Sequence, residues 1–207
     1  MLILSLSLIL LGVIFQVEGH GMMLNPPGRS SVWRCFEGFP VNWDDNQNYC
    51  GGLTFMVNNG GCGICGDRII DDHPQDNENT GKFGRGKVVS QYKSGQTIDV
   101  SVTLTTNHKG SFEYSLCKLL NSSTYESRED CFELLTLEDG STSFEVVLGY
   151  NQFENRVRLP EGLVCERCVL RWHYVSGNNW GHCEDGSFAQ GCGPQETFRS
   201  CADISIQ

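Results

Sequence analysis

Eleven cysteines are scattered through this 207-residue chain, and the segment ahead of them decides what they can be. Residues 2–15, LILSLSLILLGVIF, are apolar apart from two serines. Val17 and Gly19 stand three and one residues before a cut ahead of His20, where export leaders place small side chains. The basic start usual in such leaders is missing. A cut after Gly21 also fits, and it would discard the histidine. The run falls short of the roughly 20 apolar residues a membrane span needs, and no later segment reaches that length. A secreted chain is expected, with a signal peptide at 1–19 and a single domain at 20–207. In an oxidising compartment cysteines pair by default. Five disulfides would leave one thiol over, and Cys35, in a loop without an obvious mate, is the candidate. Asn121-Ser122-Ser123 is an N-glycosylation acceptor, which fits the same compartment.

Two CxxC pairs, Cys62-Gly-Ile-Cys65 and Cys165-Glu-Arg-Cys168, invite comparison with a zinc ribbon. They lie much further apart than the roughly 15–20 residues of ribbon pairs, and zinc thiolate sites suit reducing compartments better. No βαβ pattern surrounds either pair, which argues against a thioredoxin-like role. Disulfide staples are the favoured reading, with connectivity left open. Cys183, Cys192 and Cys201 are expected to anchor the C-terminal segment.

Staples allow a fold with much loop. Residues 20–85 are rich in Gly, Asn, Asp and Pro with little periodicity, and they read as loops. From residue 87 short β-type runs follow: KVVSQY, TIDVSVTL, SFEYSLC, SFEVVLGY, NRVRL, CVLRWHYV and ADISI. In TIDVSVTL the apolar Ile98, Val100, Val102 and Leu104 alternate with polar partners, the mark of a half-buried strand. About seven such strands predict an all-β fold, an immunoglobulin/fibronectin-III-like β-sandwich with long, disulfide-stapled loops. The net charge of -10 disfavours nucleic acid and anionic membranes as partners. A neutral ligand fits better.

Of the five histidines, His73 lies in a polar loop and His182 in a turn, where local hydrogen bonds account for them. His173 alternates with Trp172 and Tyr174 and should face outward. His108 falls just past the strand at 97–104, where a sandwich presents functional side chains. His20 would be the N-terminal residue of the processed chain. Its α-amine, with a pKa of roughly 7.7–8.0, gives up its proton readily to a competing metal. Amine and ring of one residue close a chelate, and one further imidazole completes a flat three-nitrogen set. Such a set favours Cu(II).

The stretches HGMMLNPPGRSSVWR, NYCGG, CGICGD, NHKGSFEYSLC, CVLRWHYVSGNNWG and GCGPQETFRSCADISI resemble the lytic polysaccharide monooxygenases, most closely the arthropod-type group, auxiliary activity family fifteen. The resemblance covers nearly all of residues 20–207. It implies a copper cofactor in a histidine brace made by His20 and His108. It implies that Phe198 shields the axial side without coordinating, and that Glu196 is the polar residue beside the metal's oxygen-binding position. The implied reaction is oxidative cleavage of a glycosidic bond, driven by an external electron donor and oxygen or hydrogen peroxide. The implied partner is an insoluble polysaccharide, chitin first and cellulose second, met by a monomer. Trp33, Phe36, Phe39 and Trp43 are candidates for contacts to sugar rings, although some should be core. Thr106 departs from the alanine common in relatives and stands near the implied metal. Two other readings stay open: a copper-binding protein without monooxygenase activity, and a metal-free carbohydrate-binding module.

Overall fold

The computed structural model describes residues 20–120, 123–126 and 129–207. The proposed leader and the Asn121 acceptor lie outside them. In chain order the strands are β1 (His20–Asn25), β2 (Ser90–Tyr92), β3 (Thr97–Thr106), β4 (Ser111–Lys118), β5 (Glu133–Leu134), β6 (Thr136–Leu137), β7 (Phe144–Glu145), β8 (Gln152–Arg158), β9 (Cys165–Val175), β10 (Trp180–His182), β11 (Phe188–Gln190) and β12 (Thr197–Ile206). Among the described residues one short α-helix, α1, spans Leu53–Asn59, beside two single-turn 3-10 helices at Val32–Arg34 and Glu129–Cys131. A four-stranded sheet runs β1-β3-β8-β6. It faces a six-stranded sheet ordered β2-β12-β9-β4-β5, with β7 also on β4. Among the described residues no helix is long and apolar enough to cross a membrane.

The alternation in β3 comes out as read: Ile98, Val100, Val102 and Leu104 point inward and are almost fully buried. They meet Phe112, Tyr114, Leu170, Trp172, Tyr174 and Phe198 from the opposing sheet. Burial of this apolar surface is the main stabilising term. Two expected strands shrink. Only Ser90–Tyr92 of KVVSQY and Phe144–Glu145 of SFEVVLGY pair. In the latter, Val147, Leu148 and Tyr150 are exposed, and the chain turns at Gly149 with φ of +92°.

The first third is less irregular than its composition predicts. HGMMLN forms β1, hydrogen-bonded to β3 with His20 opposite Thr106. Gly21 makes the close approach possible. A Cβ there would lie 2.5 Å from Leu104 Cδ2 and 2.9 Å from Trp172 Cη2. The loops that follow roof the outer face of the six-stranded sheet. Cys65–Cys201 ties that roof to β12, and Arg29 bonds Asp203 on β12 and Glu126 at 2.7–2.9 Å. This corrects the reading of His173. It faces away from Trp172 and Tyr174, but the roof half-buries it between Arg171 and Arg199. Burial first, then those two cations, push its pKa down to about 3.

Five disulfides form: Cys50–Cys62, Cys65–Cys201, Cys117–Cys131, Cys165–Cys168 and Cys183–Cys192. Cys35 is free and exposed. Of the two CxxC pairs, CERC closes on itself, whereas CGIC sends its sulfurs to different partners. Of the three late cysteines, Cys201 alone ties to the roof. Cys183 and Cys192 clasp a local hairpin.

Candidate metal centre

Antiparallel pairing of β1 with β3 sets His20 across from Thr106, two residues before His108. His108 then sits in the turn between β3 and β4, its side chain largely buried. That turn is forced. Lys109 has φ of +56° and Gly110 +91°, and a Cβ at Gly110 would lie 2.0 Å from the Val175 carbonyl oxygen. Tyr174 holds the turn. Its hydroxyl accepts a hydrogen bond from the His108 amide at 3.1 Å and donates one to the Lys109 carbonyl at 2.6 Å. Burial, above all, raises the phenol's pKa, so the donor proton stays in place. The Gly177 amide completes the grip by donating to the His108 carbonyl at 2.9 Å.

The two histidines are electrostatic neighbours. Burial first, and the proximity of His20 second, hold His108 below its ordinary pKa. It is therefore neutral at neutral pH, the form that binds metals. The His108 Nδ1 lies 2.9 Å from the Asn178 amide and 3.8 Å from Glu196 Oε2, so Nδ1 is engaged within the protein. A metal ligand at Nε2 needs its ring proton on Nδ1, facing an acceptor. The Asn178 amide provides one when turned so that Oδ1 meets Nδ1 and its NH2 meets the Ser176 hydroxyl, its other partner at 3.0 Å,. Among the described residues no cluster of three His, Cys, Asp or Glu side chains could hold a metal. A metal here needs a donor that is not a side chain, and a freed α-amine at His20 is one. Two imidazoles and an amine are a nitrogen set suited to copper.

Phe198 is fully buried on β12. It stacks on Tyr174, centroids 5.5 Å apart, and leans on Tyr49 at 6.5 Å. Tyr49 in turn meets the His20 ring edge-on at 6.4 Å. Phe198 is thus one ring removed from each histidine. Glu196 is buried beside His108, and its carbonyl accepts from the Ser176 amide. The structure therefore brings His20, His108, Phe198 and Glu196 together. It separates His73, which pairs with the buried Glu78 and stacks on Tyr125. His182 lies on an exposed hairpin.

None of Trp33, Phe36, Phe39 and Trp43 joins the core cluster, contrary to the expectation that some would. Trp33 and Trp43 pack edge to face at 5.1 Å, Trp43 being 79% exposed. Their loop ends at Asn46, which binds the Gly21 amide and the Thr105 hydroxyl, next to His20. The sequence reading missed Tyr174, Tyr49 and Asn178. Tyr174 carried a signal, since its alternation with Trp172 put it on the same inward face. Asn178 carried none beyond its place in a polar turn.

Residues 20–204 match the family described as lytic polysaccharide mono-oxygenase, cellulose-degrading. A lytic polysaccharide monooxygenase AA15 from Thermobia domestica, in the Cu(I) state, is 40% identical, with 90% of this chain and 98% of that one covered and a TM-score of 0.87. The cellulose-active LPMO CelS2 in complex with copper is 20% identical over 90% of this chain and 98% of its own, TM-score 0.49. LPMO10B from Micromonospora aurantiaca is 14% identical over 90% and 99%, TM-score 0.46. At that distance the last two inform neither the fold nor the site. A search of curated proteins finds no match. Its sandwich, and a family match that begins at His20 and runs nearly to the last residue, make this chain a member of the lytic polysaccharide mono-oxygenase family.

Proposed function

We propose that this chain is a secreted, copper-dependent lytic polysaccharide monooxygenase. In this reading a signal peptide is cut after Gly19 and residues 20–207 are one catalytic domain. The observation that carries it is the placement of His20 against the end of β3, next to a His108 whose Nδ1 is already engaged by Asn178. That leaves the other ring nitrogen of His108, the His20 ring and a freed α-amine as donors. Copper, when bound, supplies the one-electron and oxygen chemistry that amino-acid side chains lack.

The protein's own residues hold and shield. Tyr174 fixes the backbone on which His108 stands, and Asn178 fixes the ring. Phe198 has no donor atom, so it closes its side of the site against water without becoming a ligand. Glu196 is a carboxylate within reach of the His108 ring, placed to hold and return a proton. Trp33 and Trp43 stand on the His20 side as aromatic contacts for sugar rings. The electron donor comes from outside, and the enzyme works as a monomer on insoluble polysaccharide. Chitin is the substrate expected of the arthropod-type group. The matched family is described by cellulose degradation, so both polymers belong in the test.

The experiment is mass spectrometry of products from chitin and cellulose with copper and ascorbate supplied, alongside Cu(II) titration of protein beginning at His20 and of protein extended by one residue. Oxidised oligosaccharides are expected from the first. The extension converts the amine to an amide, a far poorer donor, and tight binding is expected to vanish. Unchanged affinity in the extended protein would remove the brace, and copper uptake without oxidised products would leave only a copper-binding protein.

A further inference from the structure

A metal donor on the first residue of a chain stands where the backbone is least restrained, because chain ends are loosely ordered unless something ties them down. At His20 the ring has a neighbour to lean on. Tyr49 stands edge-on to it, with centroids 6.4 Å apart. The amine hangs on the other side of Cα. That carbon is tetrahedral, so once the ring bond and the carbonyl bond are placed, the amine bond has one direction left. The direction of a freed amine is therefore set by the peptide that joins His20 to Gly21.

That peptide lies where the β1–β3 ladder slips. His20 faces Thr106 but Gly21 faces Leu104. Thr105 is thus an extra residue on β3, a bulge of the kind that re-aims side chains beside functional sites. Both polar groups of the peptide are met from outside the regular pairing. The Gly21 amide donates to the Asn46 main-chain carbonyl at 3.0 Å. The His20 carbonyl accepts from the Thr105 hydroxyl at 3.4 Å. Asn46 Nδ2 donates to that same hydroxyl at 3.0 Å, which turns the single hydroxyl proton towards His20. Asn46 thus touches the peptide at both ends, directly at the amide and through Thr105 at the carbonyl.

Asn46 is itself firmly footed. Asp45 before it is buried and accepts from Trp33 Nε1 and Arg34 Nη2, each at 3.0 Å. After it, the Gln47 side-chain amide donates to the Asp44 carboxylate at 3.0 Å. Stability alone does not account for this ring of bonds. Thr105 is exposed, so water could serve its hydroxyl and the His20 carbonyl almost as well. What water could not supply is a fixed direction.

We propose that Asn46 and Thr105 are positioning residues for the N-terminal donor: they pin the His20–Gly21 peptide and so fix the direction of the freed α-amine relative to the His20 ring. The proposal rests on the copper reading above and deepens it, by naming what holds the amine. A donor held in advance gives a metal one arrangement of ligands, whereas a donor free to swing gives several.

The test uses protein beginning at His20 and loaded with Cu(II). Thr105→Val keeps the side chain's shape and removes the hydroxyl. Asn46→Ala removes the group that aims it, and Thr105→Ser returns the hydroxyl. Ser101→Ala, further along β3, is the control; its hydroxyl bonds Glu154 at 2.6 Å. Electron paramagnetic resonance reads the parallel hyperfine splitting, competitive titration reads affinity, and calorimetry reads the stability of the copper-free protein. Thr105→Val and Asn46→Ala are expected to shift or split the hyperfine pattern and to weaken Cu(II) binding about 2- to 10-fold, as for the loss of one hydrogen bond. Copper-free melting should stay within about 2 °C of wild type, as for other exposed substitutions. Thr105→Ser and Ser101→Ala should keep the wild-type spectrum. A wild-type spectrum in Thr105→Val or Asn46→Ala would overturn the pin while the copper reading stands. So would a Thr105→Ser spectrum that follows Thr105→Val, an equal shift in Ser101→Ala, or a shift that comes with clearly lower copper-free melting. Wild-type protein that shows no nitrogen-ligated Cu(II) would overturn both.

Discussion

Tyr174→Phe removes one oxygen atom from a fully buried ring and nothing else. The phenylalanine keeps the stacking on Phe198 and Trp172, so core packing is conserved. What disappears is the clamp on the 107–110 turn: the acceptor for the His108 amide and the donor to the Lys109 carbonyl. Leaving the buried amide without a partner costs about 1–3 kcal/mol. Lys109 is exposed, so its carbonyl can turn to water and adds little. The turn also carries a non-glycine residue at positive φ, itself a cost of about 1 kcal/mol or more, so it relaxes when released. Other ties persist, from the Gly177 amide to the His108 carbonyl and from the Asn107 side chain to the Val147 and Tyr150 carbonyls. They keep the loss within the 1–3 kcal/mol range. Each kcal/mol lowers the melting temperature by about 2–4 °C in a chain of this size. If the whole loss falls on the ligand turn, copper affinity drops by about 5- to 150-fold. Calorimetry and competitive Cu(II) titration of the processed variant measure both. Unchanged melting together with unchanged affinity would show that the hydroxyl does not hold the turn.

Phe198→Ala opens a cavity beneath Tyr174 and Tyr49 and should cost about 3–5 kcal/mol, read by denaturant unfolding; a loss under 1 kcal/mol would mean the ring is not packed as described. Glu196→Ala leaves all three nitrogen donors in place, so copper affinity should hold while peroxide-driven turnover on chitin falls about 100-fold or more; full turnover at verified copper loading would reduce Glu196 to a structural group. His173 is neutral in the fold, with its pKa pushed down to about 3, and titrates near 6.5 once unfolded. Its contribution is complete above about pH 6.5 and fades as pH falls towards 3, because only the unfolded chain gains the proton. His173→Gln should flatten the acid limb of the stability curve by up to about 1.4 kcal/mol per pH unit, and parallel limbs for variant and wild type would refute the assignment.

The sandwich was legible wherever one strand face met the core and the other met solvent, as in β3 and β8. It was less legible where both faces are covered. In β9 and β12 the roof buries the outer face as well, so His173 sits half-buried where alternation pointed to solvent. β1 left no periodic trace because its six residues include Gly21, chosen for close approach rather than for face. Cysteine pairing follows distances in space, so CGIC splits while CERC closes. His20 and His108 stood out in the sequence for chemistry that is rare, an imidazole that a cut after Gly19 would join to a free amine and an imidazole at a strand end. Tyr174 and Asn178 act through a hydroxyl and an amide that any core or turn could carry. Their roles emerge only from the atoms they touch.

The five disulfides set a condition on how this protein can be fuelled. Its family's reaction draws electrons from an added donor, and the same electrons, delivered by a thiol, can cleave sulfur–sulfur bonds. Exchange requires the attacking thiolate to reach a sulfur. Cys65–Cys201 and Cys165–Cys168 are sealed in the interior, Cys50–Cys62 and Cys117–Cys131 each leave one cysteine half-buried, and Cys183–Cys192, on the two-stranded ribbon of β10 and β11, is half-buried at both ends. A thiol donor therefore meets its widest opening at that ribbon's clasp and none at the two sealed staples. A donor that gives up electrons without thiol exchange, such as an enediol or a phenol, can feed the site with the ribbon still clasped.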